Sequence, residues 1–202
     1  MNEVIIATKN EGKAREFVQM FEPYGIVVKT LIDYPELPDV EETGETFAEN
    51  ALLKAESAAR LTGRPAIADD SGIVIDALDG RPGVYSARYA GLEKDDKANN
   101  RKVLEELDGV EEEKRSARFT CVLAVSFPDN REPIIVEGAC EGRIAYEDQG
   151  VNGFGYDPLF IPDGFDGTMA QMKAAEKNAI SHRAIALQKL RAALPELAGE
   201  PK

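Results

Sequence analysis

Cysteine and histidine are nearly absent from this chain of 202 residues. It has two cysteines, Cys121 and Cys140, and a single histidine, His182. The cysteines stand far apart and outside any disulfide or zinc-binding motif, so the sequence indicates reduced thiols in the cytoplasm and no structural metal cluster. A lone histidine is more often structural than catalytic, and His182 is therefore not assigned as a general base.

Long apolar runs and net positive charge are also missing. No segment approaches the ~20 apolar residues of a membrane-spanning helix, and residues 1–8 lack the basic start and apolar length of a signal peptide. The chain has 24 lysines and arginines against 37 aspartates and glutamates, a formal net charge of −13. Such a field repels polyanions. We therefore expect a cytoplasmic protein with no membrane and no nucleic-acid partner, although a small anion can bind where basic residues converge.

The apolar pattern alternates between strand and helix periods. A capping-box pair, Thr46 and Glu49, opens one helix, and Gly63 is placed to end it. The spacing predicts strands near residues 4–7, 26–28, 65–68, 73–78, 115–127, 133–146 and 159–161, and helices near 12–21, 47–61, 95–107 and 181–194. This order predicts an α/β fold with a mixed sheet, as one domain or two lobes sharing a core, with a tail that frays from about residue 195.

Two adjacent aspartates, Asp69 and Asp70, separate two apolar runs in the stretch AIADDSG. If residues 65–68 form a buried strand, both carboxylates lie at its carboxyl end, where open α/β sheets bind ligands. Neighbouring side chains of an extended chain point to opposite faces, so the pair is not expected to share one metal ion. An Asp-Ser-Gly turn explains the same letters equally well.

Charged residues also gather at two places nearer the N-terminus. Residues 8–13 follow the first strand and open a helix, where backbone N–H groups and two lysines would attract phosphate, but the segment lacks the glycine spacing of a Walker loop. A polar turn with solvated lysines explains this segment slightly better when it is taken alone. The acidic set further on is either solvated or supplies a carboxylate to Mg²⁺; it comprises Glu41, Glu42, Glu45 and Glu49.

Two segments near the C-terminus suggest ligand contacts. In residues 153–158, GFGYDP, glycines allow close backbone approach and an aromatic ring can stack on a planar base, although such rings can also cover a core. Ser181 is a good N-cap, which places His182 and Arg183 in the first turn of a helix. Cations are disfavoured there by the helix dipole, so an anion or polar ligand would explain them.

The chain resembles the inosine triphosphate pyrophosphatase family, whose bacterial members act on dITP and XTP. The resemblance rests on five segments in family order over almost the whole chain: IIATKNEGKAREF, EETGETFAENALLKAE, IADDSGIVIDALDGRPGVYSARYAG, FGYDPLFIP and EKNAISHRAIAL. It implies a homodimeric α/β protein with a long mixed sheet flanked by helices, and two lobes around a central active-site cleft. It also implies Mg²⁺-dependent hydrolysis of dITP, ITP and XTP to the monophosphate and pyrophosphate, which cleanses the nucleotide pool.

The resemblance also implies the site residues. Glu41, beside a second candidate in Glu42, and Asp70 would hold Mg²⁺, and Asp70 would also accept the proton of the attacking water. His182 and Arg183 would donate to the 6-oxo group of the base. The full substrate-binding set implied by the family comprises Thr8, Lys9, Asn10, Glu11, Gly12, Lys13, Ser71, Phe154, Gly155, Tyr156, Asp157, Lys177, His182 and Arg183.

Two other functions fit parts of the sequence. The protein could be a pyrophosphatase for another modified or a standard nucleoside triphosphate, or a catalytically silent nucleotide-binding module. Carboxylates near phosphate argue against a silent module, because a protein that only binds anions gains nothing from them. A panel of nucleoside triphosphates with product identification separates the three.

Overall fold

Six strands and five helices follow one another along residues 3–38, 40–129 and 131–193, the part of the chain that a computed structural model describes. The strands are β1 (Glu3–Ile6), β2 (Val27–Thr30), β3 (Ala66–Ile75), β4 (Ser116–Ser126), β5 (Ile134–Ile144) and β6 (Phe160–Pro162). The helices are α1 (Glu11–Phe21), α2 (Phe47–Thr62), α3 (Asp96–Glu106), α4 (Ala174–Ile180) and α5 (His182–Ala193). No helix among these residues is both long enough and apolar enough to span a membrane.

The strands form one mixed sheet in the order β2-β1-β3-β4-β5-β6. Strand β1 pairs in parallel with β2 and β3, whereas β5 and β6 are antiparallel. The α/β class and the mixed sheet predicted from the sequence are therefore confirmed. The capping box at Thr46 and Glu49 is formed, and Gly63 ends α2 in the left-handed conformation, as the sequence predicts.

The chain divides into two compact units. The first comprises the described parts of 1–70, 121–138 and 184–202, and the second comprises 71–120 and 139–183. The unit boundaries fall inside β3, β4 and β5, so each of these strands contributes residues to both units.

The first unit has apolar side chains on both faces of its strands. Along β1 and β3 the period-two alternation of extended chain sends Ile6 and Ile67 to one face and Ile5 and Ala68 to the other. The first face packs against α1 and α5, and the second against the small residues of α2, which allow a close approach: Ala51, Ala55, Ala58 and Ala59. This layering buries both faces of β1 and β3 within the unit.

The second unit has a core of its own built around aromatic residues. Phe119 of β4 meets Phe160 of β6 edge to face, with ring centroids 4.8 Å apart. Val103 and Leu107 contribute from α3 and its C-cap, and both are completely buried. The aromatic residues of this core reach toward the GFGYDP segment, since Tyr156 belongs to the same cluster.

The structure corrects the interpretation of AIADDSG as a turn. Residues 66–75 are one continuous strand, so Asp69 and Asp70 lie within β3 and not at its carboxyl end. Each carboxylate has a cationic partner inside the first unit, so both can be buried in a strand and do not have to be solvated in a turn. Helix α4 was not predicted, because its seven residues are too few to show a period. The predicted frayed tail and the helix end at Leu194 lie outside the described residues.

Candidate active site

One ammonium and two carboxylates, one of which is Asp70, form a cluster in the first unit. The Lys54 Nζ donates to Asp70 Oδ1 at 2.7 Å and to Glu42 Oε1 at 2.9 Å. Asp70 projects from β3 and Lys54 from the second turn of α2. The side chains of Lys54 and Asp70 are 13% and 9% exposed, so their charges interact with little screening by water.

Burial and the neighbouring charges together set the pKa values in this cluster. Loss of hydration raises the pKa of Asp70 above its ordinary value, although Lys54 and Lys13 lower it. For Lys54 burial acts to lower the pKa, but the nearby carboxylates, led by Asp70 and Glu42, outweigh it and the pKa is raised. The lysine therefore stays protonated beside a carboxylate that is more basic than a solvated one.

Asp69 faces the other way and has a different partner. Its carboxylate is completely buried and forms an ion pair with Lys13 Nζ. The thiol of Cys121 also donates to Asp69 Oδ2, at 3.4 Å. The prediction that the two aspartates point to opposite faces is therefore confirmed, and Asp69 positions Lys13 of α1.

The remaining residues of the 8–13 segment shape the entry to α1. The Asn10 side chain caps the helix by accepting from the Lys13 N–H at 3.0 Å, and the Thr8 hydroxyl accepts from the Asn10 N–H at 3.1 Å. Lys9 donates to the Leu37 carbonyl at 2.8 Å. Glu11 is exposed and pairs with Arg15 of the same helix at 3.5 Å. Among these residues, Lys13 forms an ion pair with an aspartate of β3.

A second cluster lies in the second unit, around residues 153–157. The Asp157 carboxylate accepts from Lys177 Nζ at 2.6 Å and from the Phe154 N–H at 2.9 Å. Gly153 has a φ of +76°, and a Cβ on it would overlap the Asp157 carboxylate. The Tyr156 hydroxyl donates to the Ser86 carbonyl at 2.7 Å, and burial raises the pKa of this tyrosine. The segment is therefore a rigidly held loop that carries Phe154.

Cations of this second cluster lie around the Phe154 ring. Lys177 Nζ lies 5.0 Å from its centroid and Arg183 Cζ 5.5 Å, both within cation–π range. The Arg183 guanidinium donates to Ser71 Oγ at 2.7 Å. His182 stacks on Phe119, with centroids 4.8 Å apart and planes 11° apart. The structure thus brings most of the predicted C-terminal residues together with Ser71.

The position of Glu41 differs from the expectation. Glu41 is exposed, whereas its neighbour Glu42 contacts the ammonium that Asp70 shares. Consecutive side chains in an extended loop cannot both face the same partner, and here Glu42 faces Lys54. Of the two alternatives, the structure brings Glu42 and not Glu41 to the Asp70 cluster.

Lys54 was missed by sequence reasoning although a signal was available. It lies three residues after Ala51 and four before Ala58, on the buried stripe of α2. A lysine in such a stripe needs a buried anion, and the nearest candidates in the sequence are the acidic residues on either side of α2. Phe119 is assigned to a strand face from the sequence but not connected to His182, because the two residues lie 63 positions apart and no local pattern records their contact.

Comparisons with known proteins identify the family of this chain. The model of the Ham1 family matches residues 4–193. The chain belongs to the Ham1 family. The family recognised from the five sequence segments is thereby confirmed.

Two bacterial relatives and one solved structure illustrate the similarity. Proteins named dITP/XTP pyrophosphatase from Bacillus licheniformis and Bacillus anthracis are 58% and 55% identical to this chain; each comparison covers 97% of this chain, and 100% and 98% of the relative. The solved structure of a HAM1 protein from Coxiella burnetii is 44% identical with a TM-score of 0.85, covering 97% of this chain and 100% of that one. Both clusters lie inside the matched range.

The donor set of the Asp70 cluster fits a Mg²⁺ ion that also binds phosphate. No group of three or more histidine, cysteine or acidic side chains is placed to hold a metal among residues 3–38, 40–129 and 131–193. Mg²⁺ commonly uses one or two protein carboxylates and completes its shell with water and substrate phosphate. Glu42 and Asp70 provide such a pair, both on one ammonium.

Proposed function

We propose that this protein hydrolyses dITP, ITP and XTP to the nucleoside monophosphate and pyrophosphate. The observation that carries the proposal is the Asp70 carboxylate, buried in β3 and held with Glu42 on the Lys54 ammonium. A protein that only bound nucleotides would not benefit from two carboxylates next to phosphate. The names of the relatives at 55–58% identity support the same activity.

Asp70 is the residue to which we assign proton transfer. In the reaction a water oxygen forms a bond to the α-phosphorus, the bond from that phosphorus to the bridging α–β oxygen breaks, and pyrophosphate leaves. Asp70 takes the proton of the water as the general base. Lys54 and Lys13 offset negative charge that accumulates on the departing phosphates.

Glu42 and Asp70 are the residues we assign to Mg²⁺. When bound, the ion would neutralise and orient the triphosphate. The two carboxylates keep their geometry through Lys54, whose raised pKa keeps the ammonium charged at neutral pH. This assignment replaces Glu41 with Glu42.

The second cluster is assigned to the base and the remaining polar contacts. Phe154 provides a planar face for stacking. Arg183 lies over this ring, and its neighbour in the sequence, His182, stacks on Phe119; we assign both as donors to the 6-oxo group that hypoxanthine and xanthine share. Adenine carries an amino group there, so it would leave a donor of the protein unpaired and be rejected.

A nucleotide panel tests the proposal. We expect pyrophosphate release from dITP, ITP and XTP with Mg²⁺, and poor turnover of ATP and GTP. Turnover of ATP as efficient as that of ITP would favour a different pyrophosphatase, and orthophosphate as the first product would exclude the proposed bond cleavage. Absence of turnover with retained nucleotide binding would identify a silent module.

Three substitutions test the residue assignments. Asp70→Asn should abolish turnover while the far-UV circular dichroism and unfolding transition persist. Glu42→Gln should raise the Mg²⁺ concentration needed for half-maximal activity, and Glu41→Gln is the matched control from the neighbouring position. The opposite order of effects would return the metal assignment to Glu41.

Homodimer formation stays a prediction from the family resemblance, and cytoplasmic location stays a prediction from the composition of the chain. Sedimentation of the purified protein at micromolar concentration tests the first, and fractionation of the source cells tests the second.

A further inference from the structure

Helix α3 holds both backbone groups of Gly155. The Gly155 N–H donates to Asp96 Oδ2 at 2.7 Å, and Asn100 Nδ2 donates to the Gly155 carbonyl at 3.2 Å. Asp96 and Asn100 are four residues apart, one turn along the same face of α3. Neither residue belongs to the predicted substrate site, and all three residues lie in the second unit.

The two hydrogen bonds from α3 to Gly155 bear on the position of Phe154, the residue before it. Gly155 has a φ of +63°, and glycine alone gives a loop little resistance to rotation at that position. Because the Gly155 N–H and carbonyl are bonded to α3, the peptide that joins Phe154 to Gly155 is held in place, and the Phe154 ring lies beside Lys177 and Arg183. The loop therefore has a second anchor besides the Asp157–Lys177 pair.

The two adjacent asparagines of α3 differ in how fully their side-chain amides are hydrogen-bonded. Asn99 is satisfied at both ends: its Oδ1 accepts from the Ala90 N–H at 2.7 Å and its Nδ2 contacts two carbonyls. Asn100 is 3% exposed, and its Oδ1 has no hydrogen-bond partner among the described residues. Retaining a half-satisfied buried amide costs stability. The Asn100 amide bonds to the Gly155 carbonyl through its Nδ2. If its oxygen and nitrogen were exchanged, the side-chain oxygen would face that carbonyl oxygen, and two acceptors would meet.

We propose that Asp96 and Asn100 are positioning residues that hold Phe154 in the orientation that stacks on the purine base. The inference rests on the proposed function, in which Phe154 contacts the base. It predicts an effect on base binding and none on the chemistry at Asp70.

The first test compares Asp96→Ala with Asp96→Asn. Asparagine retains an acceptor oxygen at the same place, and alanine removes it. We expect Asp96→Ala to raise the KM for ITP about tenfold, as for loss of a hydrogen bond to a charged group, with kcat within about twofold. Asp96→Asn should keep a KM near that of the unaltered protein. Asp96 is exposed, so its replacement by alanine does not leave a cavity in the core.

The second test uses Asn100→Asp, which keeps the shape of the side chain but replaces the donor with an acceptor facing the Gly155 carbonyl. It should raise the KM for ITP at least as much as Asp96→Ala. Inorganic triphosphate, a competitor without a base, should inhibit all variants with an unchanged inhibition constant. Thermal unfolding of each variant is measured alongside, and Asp96→Ala provides the answer if Asn100→Asp does not fold.

The outcomes separate the two proposals. If the unaltered protein releases no pyrophosphate from ITP, the proposed function fails. If it is active and Asp96→Ala has an unchanged KM, the positioning inference alone is overturned. An equal rise in the KM for ITP and in the inhibition constant of triphosphate would also overturn it, because the effect would then not depend on the base.

Discussion

Asp69 and Asp70 are chemically identical neighbours, yet the first unit gives them different partners. Because side chains alternate along a strand, Asp69 meets Lys13 and Cys121 on one face. Asp70 meets Lys54, which also binds Glu42, on the other. The sequence predicts that only one of the two faces the reaction, because extended geometry is local. It does not predict which lysine each receives, because both lysines come from helices whose approach to β3 depends on packing.

Removal of Lys13 should destabilise the protein even without nucleotide. In Lys13→Met the completely buried Asp69 carboxylate loses its ammonium partner, and the free energy of unfolding should fall by about 3 kcal/mol. Urea unfolding in nucleotide-free buffer measures the loss. Lys13→Arg keeps the positive charge and should lose less; an equal loss in both variants would show that shape, and not charge, governs the site.

Tyr89 makes the free energy of unfolding depend on pH in the alkaline range. Its hydroxyl donates to Glu106 at 2.7 Å, and burial followed by this hydrogen bond raises its pKa from 10.0 to about 12. Because the folded pKa is the higher one, the stabilisation is complete below pH 10 and is lost as the pH rises toward 12. The stability difference between the unaltered protein and Tyr89→Phe should therefore shrink across that window in urea titrations. A constant difference from pH 9 to pH 12 would contradict the assignment.

At the scale of elements, the loop 153–157 contains two glycines with similar backbone angles and different surroundings. A Cβ at Gly153 would overlap Asp157, whereas a Cβ at Gly155 meets nothing within 4 Å. The second position therefore tolerates a side chain sterically, and the first does not. This difference allows the backbone cost and the steric cost of a substitution to be separated within one loop.

Alanine at these two glycines should have unequal effects. Gly155→Ala should cost about 1–2 kcal/mol, the ordinary penalty for a left-handed residue with a side chain. Gly153→Ala should cost more, since it must also displace Asp157, and it should weaken ITP binding by disturbing the Lys177 pair. Paired urea unfolding and KM measurements check this order. A larger loss of unfolding free energy in Gly155→Ala than in Gly153→Ala would contradict the steric difference between the two positions.

Elements with local signals could be predicted from sequence, and contacts between distant segments could not. The capping box of α2 and the left-handed Gly63 follow from residues within a few positions of each other. The α3 contacts to Gly155 join residues 55 and 59 positions apart, and no sequence period records them. The turn interpretation of AIADDSG fails for a related reason. Adjacent aspartates favour a turn unless they have cationic partners, and here the two lysines come from helices distant in sequence.

At the scale of the whole molecule, the net charge of −13 opposes the approach of a polyanion. Family membership could be recognised from sequence because five segments keep their order over almost the whole chain. The bounds of the two interleaved units could not, since they fall inside β3, β4 and β5, where the sequence pattern shows no break.

Duplex DNA should not bind. A fluorescent 20-base-pair duplex should show no change in anisotropy with up to 10 µM protein at about 0.15 M salt, because non-specific binding requires basic residues to displace counterions. A basic protein of similar size is the positive control. Binding that weakens with added salt would reveal a basic surface that the net charge conceals.

The interleaving of the units also fixes the order in which a ribosome can complete them. Phe17 and Phe21 of α1 are made early, but the core that they share also contains Ala184, Leu187 and Leu190 of α5, made more than 160 residues later. Until α5 emerges, a nascent chain carries an exposed apolar surface on β1 and α1. The second unit, which ends at Arg183, is finished first although the first unit begins first. The unit that begins first is therefore completed last, and premature termination before α5 would leave the apolar residues of α1 without their partners from α5, a surface that favours aggregation.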